Sequence, residues 1–150
     1  MDKKFVTKSA KETQKLGENF ALRLGSGQAN RKTAVVFGLS GNLGGGKTTF
    51  LQGFAKGLGI KEKITSPTFV IMRRFQVSSF KLQAFYHLDC YRLKNEKDVL
   101  ALGWKEIISD PKNIVAVEWS EKMKKILPKN TIFINFKFIN ENTREIYFRM

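Results

Sequence analysis

The chain has a single cysteine, Cys90, so no disulfide can form within it, and that usage fits a reducing compartment. Histidine also occurs once, as His87, which excludes a histidine-rich metal centre and offers little basis for a histidine-based nucleophilic triad. A lone histidine on a strand is most often structural. No apolar run approaches the roughly 20 residues that a membrane-spanning helix needs. The opening MDKKFVTKSAKE is basic with no apolar stretch behind it, which is the wrong pattern for a secretory signal. The expectation is a soluble cytoplasmic protein. Acidic residues are scarce too, with 13 Asp and Glu against 27 Lys and Arg and a formal net charge of +14. Such an excess suits a surface that meets nucleic acid or an acidic partner. The basic residues form no single dense block, however, and scattered lysine beside many Phe, Ile and Asn is equally the mark of a coding sequence poor in G and C. Charge alone assigns nothing.

Against these absences stands a local excess. Residues 38–50 read GLSGNLGGGKTTF, and within them Gly41 to Thr48 match G-x-x-x-x-G-K-[ST] in full. Each glycine gives up more backbone freedom on folding than any other residue, so so many in one stretch need a compensating use. A polyphosphate supplies one. Glycines let successive N–H groups turn inward and approach phosphate oxygens with no β-carbon in the way. A helix starting at Thr48 adds its unpaired N–H groups and the positive end of its dipole. Lys47 contributes a mobile cation for the β- and γ-phosphates, and the Thr48 hydroxyl suits a magnesium ion. A glycine-rich turn with an incidental lysine is the competing reading. The flanking pattern argues against it, because the short apolar run TAVVFGL (33–39) precedes the loop as a buried strand and a helix from Thr48 to Lys56 follows.

The rest of the chain, long enough at 150 residues for one domain, alternates in type. SAKETQKLGENFALRL (9–24) has Ser9 and Glu12 at capping-box spacing and Leu16, Phe20 and Leu24 at helical intervals. Residues 66–75, SPTFVIMRRF, run extended from Pro67, and VSS (77–79) reads as a turn into a strand over Phe80 to Leu88. In that strand Phe80, Leu82, Ala84, Tyr86 and Leu88 share one face. Asn95 is placed to cap a helix to about Ile108 with Val99, Leu102 and Ile107 inward. IVAVE (114–118) is a second short buried strand, SEKMKKIL a brief helix ending at Pro128, and TIFINFKFI with REIYFRM a closing antiparallel pair. Strands alternating with helices give an α/β layout.

A magnesium nucleotide also needs carboxylates at neighbouring strand ends. Glu118 closes IVAVE and Asp89 closes the alternating strand in FYHLDCYR. Glu118 is the stronger candidate for the metal, directly or through water, while Asp89 could share the metal shell or position the attacking water. An exposed strand end or a helix cap is the plainer reading of either. Ser66 and Thr68 could sense a γ-phosphate or form a plain turn. Trp119 could stack near a base or fill the core. Cys90 reads as a small buried filler, and Arg73-Arg74 as an exposed strand pair that could also clamp phosphate.

In this order and spacing, GNLGGGKTTF, TSPTFVI, HLDCYRL and VEWSE resemble the TsaE (YjeE) family, and ETQKLGENFALRL and NTREIYF extend the resemblance over nearly the whole chain. The resemblance implies a single P-loop domain over residues 1–150, with a three-layer α/β sandwich and a mixed central sheet. It implies an ATP- and magnesium-dependent ATPase, slow alone, that supports threonylcarbamoyladenosine formation in tRNA together with TsaD and TsaB, reaching tRNA through that complex. By position, the phosphate-binding segment falls on Leu43, Gly44, Gly45, Gly46, Lys47 and Thr48, with Thr49 beside it. The magnesium partners fall on Thr48 and Glu118, with Asp89 as the essential aspartate ahead of Tyr91 and Arg92. Trp119 takes the place of the family tryptophan. Nucleotide contacts are implied near Ala10 to Thr13 and near Thr143 and Arg144. The chain departs from the family at Asn42, Gly45 and Ser120, where Asp, Ala and Pro are usual. A small P-loop kinase and a non-catalytic basic nucleic-acid binder are the alternatives.

Overall fold

The computed structural model describes residues 2–27, 30–41, 46–65 and 71–150. Among these residues seven strands form one mixed sheet: β1 (Lys3–Thr7), β2 (Val35–Gly41), β3 (Met72–Gln76), β4 (Ala84–Asp89), β5 (Asn113–Glu118), β6 (Ile132–Phe138) and β7 (Arg144–Arg149). They lie in the order β1-β7-β6-β2-β5-β4-β3. β6, β2, β5 and β4 run parallel, while β1, β7 and β3 pair antiparallel at the two sides. Parallel strands buried on both faces should be continuously apolar. That is why VVFGL and NIVAV read as unbroken runs and sit in the centre.

Two helices cover one face, α1 (Ala10–Ser26) and α2 (Lys47–Gly57). Beneath them Phe20, Phe37, Phe50, Phe54, Phe85, Phe136 and Phe148 build an aromatic core, mostly in edge-on and tilted contacts of 4.9–6.1 Å. The helices approach closely through glycines. A β-carbon on Gly53 would lie 1.9 Å from the Gln14 carbonyl oxygen, and one on Gly17 would lie 2.1 Å from that of Phe50. On the other face α3 (Lys97–Leu100), α4 (Trp104–Ser109) and a 3-10 turn at Ser120–Met123 pack a second cluster around Trp104, Leu88, Val115 and Val117. The result is the expected α/β sandwich with a mixed sheet. No helix among the described residues is long and apolar enough to cross a membrane.

Ser9 caps α1 as its pattern predicts, its hydroxyl accepting from the Glu12 N–H at 3.1 Å, though Glu12 answers to the Lys8 N–H rather than to Ser9 itself. Other expectations are corrected. The strand over residues 80–88 begins only at Ala84, because Phe80 and Lys81 have φ of 58° and 60°. This left-handed turn rotates the chain, so Phe80 and Leu82 join the aromatic core while Ala84, Tyr86 and Leu88 face the other way. The helix from Asn95 to Ile108 is two short helices, broken at Gly103 with φ of 88°. The break leaves Leu102 44% exposed and buries Trp104 instead. The helix after Glu118 is only the 3-10 turn. Nothing in the amino-terminal pattern marks β1, an edge strand with one buried side chain, Thr7.

Candidate phosphate-binding site

β2, β5 and β4 are neighbours, and their last residues are Gly41, Glu118 and Asp89. The carboxyl ends of parallel strands are where open α/β sheets bind ligands, and here they bring the loop lysine and both expected carboxylates to one end of the sheet. Of the glycine-rich loop, Asn42, Leu43, Gly44 and Gly45 lie outside the described residues, as do Ser66, Pro67 and Thr68.

Gly46 closes the loop with φ of 103°, a left-handed conformation that a side chain would strain. Its carbonyl accepts from the Phe50 N–H at 2.9 Å, starting α2. Its N-cap, Gly46, has no side chain to cap it and no acidic residue sits in its first turn, an arrangement that suits an anion at its first N–H groups. Lys47 is the first helical residue and is 6% exposed. Its ammonium donates to the Gly41 carbonyl at 2.7 Å and lies 4.5 Å from the centre of the Trp119 ring. Thr48 and Thr49 follow, both half-buried in the first turn.

Trp119 stands in the left-handed conformation with φ of 58°, anchored by its N–H to the Leu39 carbonyl at 3.1 Å. The turn carries its ring to Lys47 on one side and to Tyr91, at 5.0 Å between centroids, on the other. Trp119 therefore lies against the lysine of the candidate site. Glu118 is 3% exposed, and its Oε2 lies 2.7 Å from Nε2 of His87, itself 1% exposed. Asp89 pairs in register with Glu118 across the parallel strands; its Oδ1 accepts from the Tyr91 N–H at 3.0 Å. Thr48, Glu118 and Asp89 are hard oxygen donors of the kind magnesium takes alongside phosphate oxygens and water. Among the described residues no group of three or more His, Cys, Asp or Glu could hold a metal unaided. Such donors fit an ion that arrives with a nucleotide.

The beginnings of α1 and β7 also reach the loop. A β-carbon on Gly46 would lie 3.6 Å from Thr13 and 3.7 Å from Arg144, which places both beside the phosphate corner. Thr13 is 2% exposed, its hydroxyl 2.7 Å from that of Thr7. Arg144 donates to the carbonyls of Asn140 and Thr143 and stacks on Phe138 at 4.6 Å. Ala10 and Arg92 are exposed.

Arg73 and Arg74 lie on edge strand β3, where they stack on Phe75 and bond Tyr86. Cys90 is buried, its thiol 3.0 Å from the Met123 sulfur; burial, with Asp89 adding to it, pushes its pKa up to about 12. It is a filler and no nucleophile at neutral pH. A cavity of about 690 Å³, lined in part by Lys4, Ser120, Phe133 and Tyr147, does not include Lys47, Glu118 or Asp89.

Composition makes His87 look purely structural, yet it bonds the key carboxylate. The H-x-D spacing carries the signal, since alternate residues of a strand share a face. The Thr7–Thr13 pair had no such signal because β1 is invisible in the sequence.

A parallel strand feeding through a glycine-rich loop into an uncapped helix, with a buried lysine at the helix start and a carboxylate on the next strand, defines the P-loop class. The chain belongs to the TsaE family: a family model described as threonylcarbamoyl adenosine biosynthesis protein TsaE matches residues 7–146. It is 34% identical over 141 residues to the tRNA threonylcarbamoyladenosine biosynthesis protein TsaE of Treponema pallidum, covering 94% of this chain and 96% of that one. It is 40% identical over 105 residues to the TsaE of Borreliella burgdorferi, covering 69% and 74% of the two chains. The crystal structure of Bacillus subtilis YdiB matches with a TM-score of 0.65 at 30% identity, covering 99% of this chain and 84% of that one. Family membership implies nucleotide binding.

Proposed function

We propose that this chain is a single-domain, magnesium-dependent ATPase, slow by itself, that supports threonylcarbamoyl transfer to adenosine in tRNA together with TsaB and TsaD in the cytoplasm. The observation that carries the reading is Lys47, buried at the start of α2 and, among the described residues, held by nothing stronger than the Gly41 carbonyl and the Trp119 ring. A buried ammonium with a neutral partner gains most from an incoming anion. The first turn of α2 supplies further donors to the same phosphates. Thr48 and Glu118, with Asp89 beside them, would hold magnesium, which when bound neutralises charge on the terminal phosphates. Lys47 would stabilise charge on the transferring phosphoryl group, and Asp89 would orient the attacking water. Thr13, Trp119 and Arg144 border the region where the rest of the nucleotide would lie.

The test is ATP hydrolysis by the purified chain with magnesium, alone and with TsaB and TsaD. Slow turnover that rises strongly with the pair supports the proposal. No stimulation, with phosphate passing instead to a small-molecule acceptor, would assign a P-loop kinase. RNA binding that persists in Lys47→Ala without any ATP binding would assign a nucleic-acid binder.

A further inference from the structure

We propose that His87 is a positioning residue for Glu118, fixing the carboxylate that would hold magnesium; the inference rests on the magnesium–ATP reading above. A carboxylate that is 3% exposed needs a hydrogen-bond partner, and the one its side chain has among the described residues is Nε2 of His87 at 2.7 Å. The other ring nitrogen, Nδ1, is buried with no partner among the described residues. An orphaned lone pair inside a core costs less than an orphaned N–H. Nε2 is therefore the ring nitrogen that donates, to Glu118 Oε2. The ring cannot easily turn away, because it lies parallel to Phe85 within 4°, at 6.5 Å, and is 1% exposed.

The two residues come from adjacent parallel strands whose register sets Asp89 opposite Glu118 and His87 opposite Ala116. His87 thus reaches diagonally to Glu118 from the row below, and the backbone pairing of β4 with β5 holds both ends of the bond. Oε2 is taken up by the histidine, and Oε1 has no hydrogen bond among the described residues. One oxygen anchors the side chain so that the other is presented to the metal. Partners of this kind, one bond removed from a metal, typically change metal affinity 10–100-fold when removed.

Two variants test this. His87→Gln can return an N–H to the same oxygen, whereas His87→Leu cannot. Binding of a fluorescent ATP analogue is measured in EDTA and across a magnesium titration, with Mn²⁺ binding to the protein–ATP complex followed by electron paramagnetic resonance. The expected result is metal-free ATP affinity within about twofold of wild type in both variants. The magnesium midpoint and the Mn²⁺ affinity should weaken about 10-fold or more in His87→Leu, and most of that should be recovered in His87→Gln. Should His87→Leu fail to fold, His87→Asn, whose shorter amide does not reach Oε2, takes its place. A wild-type magnesium midpoint in His87→Leu or His87→Asn overturns the positioning role while leaving the phosphate site standing. A wild-type protein that binds no ATP with or without magnesium overturns both.

Discussion

The ammonium of Lys47 is held 2.7 Å from the carbonyl oxygen of Gly41, so the last residue of β2 and the first of α2 are tied across the intervening loop. The same ammonium sits 4.5 Å from the Trp119 ring. Both contacts are with groups lacking full charge, and an anionic phosphate outcompetes them. Lys47→Ala should lower ATP turnover by about 100-fold or more, the loss expected from removing one preorganised cation or donor at a phosphoryl-transfer site. Retention of wild-type hydrolysis would remove the phosphate-loop assignment.

Trp119 should report the same event. Drawing Lys47 from its ring toward phosphate changes the ring's surroundings, whereas Trp104 is 1% exposed and bonded through its indole N–H to the Ile126 carbonyl. ATP titration should therefore shift indole fluorescence in wild type, and the response should vanish in Trp119→Phe. A response that survives in Trp119→Phe contradicts the placement.

Glu118→Gln keeps the shape of the side chain and its bond to His87 in altered form, but removes the charge. The magnesium concentration for half-maximal turnover should rise at least about 10-fold, the scale on which metal sites respond to lost ligation. Metal-free nucleotide binding should change little. An unchanged magnesium titration excludes Glu118 as the metal partner.

Cys90 should resist alkylation. With its pKa pushed up to about 12 by burial and by Asp89, the folded protein holds almost no thiolate at pH 8. Iodoacetamide should label the native chain far more slowly than the chain in denaturant, and comparable rates would contradict the burial. The linkage has a definite sign. Between the ordinary value of 9.0 and about 12 the unfolded chain gives up the thiol proton and the folded chain keeps it. Stability should therefore fall as pH rises across that window, and Cys90→Ala should reduce the fall.

Gly53→Ala should destabilise the fold, because the new methyl would overlap the Gln14 carbonyl oxygen at 1.9 Å and force α1 away from α2. The contact is backbone and cannot rotate aside, so a cost of about 1–3 kcal/mol or more is expected from denaturant midpoints. A neutral result would show that the two helices are not packed this closely.

The glycine-lysine-threonine motif, the helix after it and the strand-end positions of Glu118 and Asp89 were legible along the chain because each obeys a local rule. A loop motif requires fixed spacing, buried parallel strands require unbroken apolar runs, and VVFGL and NIVAV obey that rule with Gly41 and Glu118 at their ends. Elsewhere local pattern was overruled. The alternation from Phe80 to Leu88 runs on through a left-handed turn at Phe80 and Lys81 that no periodicity marks. Leu102 and Trp104 exchanged places because Gly103 ends one helical turn and starts another. β1 is a strand only because β7 offers it an edge.

By itself the sequence determined which residues are candidates to meet a phosphate and a metal, because a glycine-lysine-threonine corner and acids after apolar strands are short-range statements. Tertiary structure decided that Gly41, Glu118 and Asp89 end side by side, through a strand order in which β5 lies between β2 and β4. It also decided that His87 grips Glu118 and that Trp119 lies over Lys47. Residues 31 or 72 positions apart meet only through sheet pairing and backbone turns, and long-range register leaves no trace in local spacing.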